Sequence, residues 1–131
     1  MRSFSEFHDG FLDGLLVRNA SAYLFLRTTN EEEFVLRMSG VLSLKADGFR
    51  QGNIIFDVLV RSGDELTAVD MVDLFGFKDE AQAAKKLEES RQNGQLIIEV
   101  NPSYGAECFI LAQSVDLVSR DAWAEGLVSR D

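Results

Sequence analysis

The sequence has a single cysteine, Cys108, so it can form no internal disulfide and no zinc site built on cysteines. A lone thiol fits a reducing compartment. There is one proline, and the 46% hydrophobic content is that of an ordinary globular protein. No apolar run approaches the roughly 20 residues that span a bilayer. No basic region followed by a long apolar run marks a signal peptide near Met1. The expected location is therefore the cytoplasm, with no membrane partner. No glycine-rich phosphate loop precedes a helix, and Gly-x-Ser-x-Gly does not occur. Nothing implies a cofactor. Positive charge is also scarce, with 13 Lys and Arg against 22 Asp and Glu, a net of -9. The deficit is uneven. Residues 1–62 hold seven basic against eight acidic side chains, a net of -1, and residues 63–131 hold six against fourteen, a net of -8. An acidic second half repels phosphate backbones and argues against nucleic acid as a partner. It favours a basic partner or serves solubility.

At 131 residues the chain reads as one α+β domain, 1–131, long enough for a core. The stretch Asn53–Val60 is rich in β-branched and aromatic residues and lies between turn signals at Gly52 and Ser62-Gly63. Ile54, Phe56, Val58 and Val60 alternate onto one face, with Ile55 and Leu59 on the other. A strand apolar on both faces belongs mid-sheet. Before it, Phe11–Val17, Ala22–Thr28 and Glu33–Met38 read as strands joined by short polar turns, an antiparallel meander. In the first of these, Phe11, Leu15 and Val17 share a face with Asp13. Gly40–Gln51 reads as a connection. Thr67 to Asp70 matches a capping box, with Val69, Val72 and Phe75 at helical spacing and Gly76 placed to end the helix. A second helix runs from about Asp79 to Asn93, with Ala81, Ala84 and Leu87 as a thin apolar face. Gln95–Val100 and Ala106–Ala112 form a hairpin around the turn Asn101–Gly105. The expectation is an antiparallel sheet of about six strands in the order ββββααββ, with two inserted helices, one packed on the sheet. The pentapeptide Leu117–Asp121 recurs as Leu127–Asp131, too short a repeat for a solenoid. Trp123 between the copies reads as a packing anchor for a terminal segment.

The side chains that could carry chemistry are few. His8, Asp9 and Asp13 could ligate a divalent metal, or act as a base and its orienter. On a straight strand the two acids share one face and His8 points to the other, so they converge only if Gly10 bends the chain. The simpler reading is that His8 and Asp9 hydrogen-bond nearby backbone at a strand start. Glu99 and Glu107 flank the last turn and could approach one another, though a solvated face is commoner. Asp57 lies on the strand expected to be buried and would need a partner, which Arg27, Arg37 or Arg50 could supply. Glu31 and Glu32 in the charge run before Phe34 are candidate contacts for a basic partner. Tyr104, beside Gly105, is a candidate aromatic contact or packs back on the sheet.

The stretch Phe7-His8-Asp9-Gly10-Phe11-Leu12-Asp13-Gly14, followed by short strands and Gly52-Asn53-Ile54, resembles small bacterial proteins that include the immunity families accompanying toxins. The resemblance covers roughly the first half and brings no catalytic residue set with it. It implies a small cytoplasmic α+β protein that works by binding another protein. Three expectations follow. The first is an interaction module, immunity-like, without catalysis. The second is a small-molecule- or metal-binding domain or enzyme using His8, Asp9 and Asp13. The third is a homodimer built through a sheet edge.

Overall fold

The structure, a computed structural model, describes residues 1–128. The elements are β1 (Arg2–Ser3), a 3-10 turn (Ser5–Phe7), β2 (Phe11–Arg18), β3 (Ser21–Arg27), β4 (Glu33–Ser39), β5 (Ser43–Asp47) and β6 (Asn53–Ser62). A second 3-10 turn (Gly63–Glu65), α1 (Ala68–Phe75), α2 (Glu80–Gln92), β7 (Leu96–Tyr104), β8 (Glu107–Ala112), β9 (Ser114–Ser119) and α3 (Arg120–Val128) follow. The fold is α+β with one antiparallel sheet of nine strands and three helices. The expected six strands and two helices fall short in both counts. Gly40–Gln51 is not a bare connection but holds β5, and the tail holds β9 and α3. The second copy of the tail repeat runs past the described residues.

The strands pair in the order β5, β8, β7, β6, β2, β3, β4, β9, with β1 on β6. Two of them continue others through short bends. β4 runs through Gly40 into β5, and β8 runs through Gln113 into β9. Ser39 pairs with Ser114 and Ser43 with Leu111. Between those pairs, Leu42 donates its N–H to the Leu111 carbonyl at 2.9 Å, and Gln113 donates to Ser39 and Gly40 at 3.0 and 3.1 Å. The two ends of the order are thus joined, and the sheet closes into a barrel. Closure hides edges that would otherwise template further pairing.

The barrel interior is filled by Leu12, Leu24, Leu26, Leu36, Met38, Ile55, Val58, Ile98, Val100, Cys108 and Ile110, with Phe4 and Phe7 packed against them. A second cluster lies outside, where Ile97, Leu111 and Phe109 of β7 and β8 meet Leu66, Met71 of α1 and Ala83 of α2. Alternation along β7 and β8 thus divides their side chains between the two clusters. The Thr67–Asp70 capping box forms in both directions, and Gly76 ends α1 at φ 69°. The helix faces differ from those expected from the spacing of apolar residues. Met71 and Leu74 face the barrel while Val69 and Val72 are exposed, and in α2 Ala83 and Ser90 are buried while Ala81 and Ala84 are not.

Two bulges explain where strand faces depart from simple alternation. In β2 the register shifts between Leu12 and Gly14, leaving Asp13 as the extra residue. Leu12 and Leu15 therefore both reach the core, and Phe11 lies on the opposite, outer face, not beside Leu15. In β6 the register shifts between Ile55 and Asp57, so Phe56 is extra and 52% exposed. β6 does sit mid-sheet, between β7 and β2 with β1, but only one of its faces is fully covered. Pro102, expected in a turn, lies inside β7 at a further shift, opposite Ile55, where a missing N–H is tolerated.

Candidate interaction face

The tripeptide His8-Asp9-Gly10 leads from the first 3-10 turn into β2. Asp9 sits at φ 64° and donates its N–H to the Ile55 carbonyl at 3.0 Å, while Gly10 accepts from Ile55 at 2.9 Å. A Cβ on Gly10 would collide with the Arg27 carbonyl, so only glycine lets β2 approach β3 here. His8 Nδ1 lies 2.7 Å from the carbonyl of Phe56, the bulged residue. A carbonyl only accepts, so Nδ1 carries the proton in this bond. The imidazole thus satisfies a carbonyl at the point where the ladder is broken, and it meets the Phe56 ring edge-to-face at 5.5 Å. His8 Nε2 is 3.6 Å from Asp9 Oδ2. Asp13 is turned elsewhere. Its two oxygens accept from Arg27 Nε at 3.0 Å and Nη2 at 3.1 Å. His8, Asp9 and Asp13 are therefore not brought together. Among the described residues, no group of three or more His, Cys, Asp or Glu side chains is placed to hold a metal ion.

A cross-strand row connects these residues to the candidate contacts. Tyr104 pairs with Ile54, Ile54 with Phe11, Phe11 with Arg27, and Arg27 with Glu33. Directly paired residues share a face, and this row lies on the outside of the barrel. Tyr104 is 49% exposed, Ile54 and Phe11 are half-buried, and the Arg27 guanidinium stacks 4.3 Å above the Phe11 ring. Glu31, at φ 64° in the β3–β4 turn, reaches Arg27 at 3.6 Å, and the turn is held by Glu32 N–H on Thr28 Oγ1 at 3.1 Å. Tyr104 and Phe56 mark one end of this band and Glu31 the other. Glu32 stands exposed beside Glu31.

Beside the aromatic end lies an acidic hollow of about 140 Å³ lined by Asp70, Asp73, Glu99, Asn101, Glu107, Cys108 and Phe109. Asn101 also donates to Asp57 Oδ1 at 2.7 Å, so the partner of Asp57 is an amide and not the arginine expected. The floor is fixed by Arg61, which no sequence motif singled out. It binds Asp70 through two bonds of 2.7 and 2.8 Å and Glu99 at 2.9 Å. Burial alone would push the Asp70 carboxyl up, but the bonds from Arg61 and from the Thr67 N–H hold it below its ordinary range. The bond to Asp70, followed by the one to Glu99, pushes the Arg61 guanidinium up against the opposing effect of burial. Only the capping-box role of Asp70 was legible beforehand. Its second role needs β6 and β7 to pass under α1. A larger hollow, about 480 Å³, lies on the outer face of β3, β4 and β9, where Arg37 and Asp116 form a bidentate pair at 3.1 and 2.6 Å. Among the described residues, no helix is long and apolar enough to cross a membrane. No protein-family model matches the chain, and no curated protein matches it.

Proposed function

We propose that this chain is a protein-interaction module, immunity-like in kind, that works by contact and binds a basic protein partner. The observation that carries the reading is the outer band of exposed Phe56 and Tyr104 with half-buried Ile54 and Phe11, beside the acidic hollow. Paired strands present these apolar side chains on a rigid outer surface, and no helix of the described chain packs over them in the way that α1 covers β8. Aromatic side chains at the centre of such a patch, with charge at its rim, suit a protein interface. Asp73 and Glu107, with Asp57 nearby, give that rim one sign, which selects a basic surface and speeds its encounter.

The test is a pulldown from lysate of the source organism at near-physiological salt, run with the native chain and with Phe56→Ala/Tyr104→Ala. One stoichiometric partner with a basic contact surface is expected, its capture weakened by salt and reduced on the order of tenfold or more by the double variant. Capture unchanged by the double variant would move the interface elsewhere. Loss of capture by Glu31→Ala/Glu32→Ala alone would place it at the β3–β4 turn.

A further inference from the structure

Closure of the barrel leaves β1, β5 and β9 paired on one side only, and it leaves part of β2 open as well. β2 pairs with β3 along its whole length, but on its other side it meets β6 only at Phe11 and Leu12, because β6 begins at Asn53. From Gly14 to Arg18, no described strand lies on that side. The two-residue turn at Asn19-Ala20, with Asn19 at φ 56°, makes Arg18 and Ser21 a hydrogen-bonded pair. Alternation then turns the backbone groups of Leu16 toward β3 and those of Leu15 and Val17 outward. No described group hydrogen-bonds the outward pair. The side chains here are apolar and uncovered, with Leu16 42% and Val17 51% exposed. The segment has no proline and no charge before Arg18 to block pairing.

We infer that this edge pairs with the same edge of a second copy of the chain, antiparallel about a two-fold axis at Leu16. This inference uses different residues from the aromatic band and stands whether or not that band binds a partner. A self-pairing register is fixed by the backbone. Leu15 must face Val17 of the second copy, so that both outward groups on each strand bond, and Leu16 must face its own counterpart. That register gives four main-chain hydrogen bonds. It places Leu16 with Tyr23 on the outer face of one continuous sheet, and Leu15 with Val17 on the other. Charge distribution favours a second copy. The segment 63–131 carries the net of -8, and its helices α1 and α2 pack outside β7 and β8, across the barrel from β2, while α3 packs on β3 through Trp123. Two β2 edges therefore meet through segments of net -1.

Sedimentation velocity across a wide concentration range tests the association. The native chain is expected to rise from 14.6 kDa toward twice that mass, and Leu16→Lys to remain at 14.6 kDa throughout. A native mass fixed at 14.6 kDa at the highest concentration overturns the inference, as does a rise left unchanged in Leu16→Lys. The register has its own readout, because the lone native thiol, Cys108, is buried. Non-hydrogen-bonded partners stand about 4.5–5.5 Å apart, within disulfide reach. Leu16→Cys should oxidise to a linked dimer. Arg18→Cys, opposite Gly14 of the second copy, should link on the order of tenfold less. Equal linking at both positions overturns the register.

Discussion

Arg61 and its two acids are the residues on which attachment of the helices turns. Arg61 belongs to the central strand, Asp70 to the first turn of α1, and Glu99 to the neighbouring strand β7, so one guanidinium ties three elements. All three side chains are largely withdrawn from water. Breaking one member leaves a desolvated charge without its partner, a larger loss than that of an exposed ion pair. Because its folded pKa lies below its unfolded value, near 3.9, Asp70 contributes in full above that value. The contribution is lost as pH falls through the lower, folded value. Asp70→Asn is therefore expected to lower stability by roughly 2 kcal/mol at neutral pH. Urea melts at descending pH should show the variant and native curves converging on the acid side. A gap that stays constant through pH 3 would show that the loss comes from packing and not from the carboxylate. Asn53 makes a comparable tie at the barrel end. Its Oδ1 accepts from Arg50 at 2.8 Å and Ala106 at 3.1 Å, and its close fit against Gly105, at φ 89°, leaves no room for a Cβ there.

α3 is the element least anchored by sequence pattern and most dependent on one side chain. Ser119 accepts the N–H of Ala122 at 3.1 Å and closes the first turn. Trp123 packs at 5.2 Å from Phe25 and 5.9 Å from Tyr23, with Arg120 over both the Phe25 and Trp123 rings. Reading Trp123 as a packing anchor needed only its chemistry. Reading the helix around it needed the outer face of β3. Trp123→Ala is expected to cost about 1–2 kcal/mol. In the native chain, the emission of this sole tryptophan should shift in urea together with the far-ultraviolet circular dichroism. An earlier emission shift would mean that α3 undocks on its own. Other elements divide the same way. α1 was legible because its cap and its stop are local, Thr67 with Asp70 and then Gly76. Its buried face was not, because Met71 and Val72 are both apolar and only the barrel decides which turns inward. β9 carries a clean signal in Val115 and Leu117, but β5 offers only Leu44 and Ala46, and both exist as strands because they continue β8 and β4 around a bend.

At the scale of the whole molecule, what could not be read in advance is what depends on distant pairing. Alternation holds along β7 and β8, where Ile98, Val100, Cys108 and Ile110 all enter the barrel while Ile97 and Leu111 meet the helices. It failed at Asp13 and Phe56, because a bulge is set by the partner strand and a single extra residue reverses every face beyond it. A straight β2 would hold Asp13 beside Leu15, whereas the bulge gives Asp13 to Arg27. Closure also puts Cys108 inside a sealed core, 1% exposed. Burial, with the charges of Glu107 and Asp47 nearby, pushes its thiol up to about 12. It is therefore both hidden and poorly ionised, and a thiol reagent must wait for an opening that takes β8 off β7 or β5. In a closed barrel neither neighbour can leave without disturbing the shared interior. Native labelling is expected to be on the order of a thousandfold slower than labelling of the urea-unfolded chain, and its rate should rise with urea with the slope of global unfolding. A labelling rate insensitive to low urea would mean that the seam between the β4–β5 and β8–β9 strands opens locally, at the bend around Gly40 and Gln113.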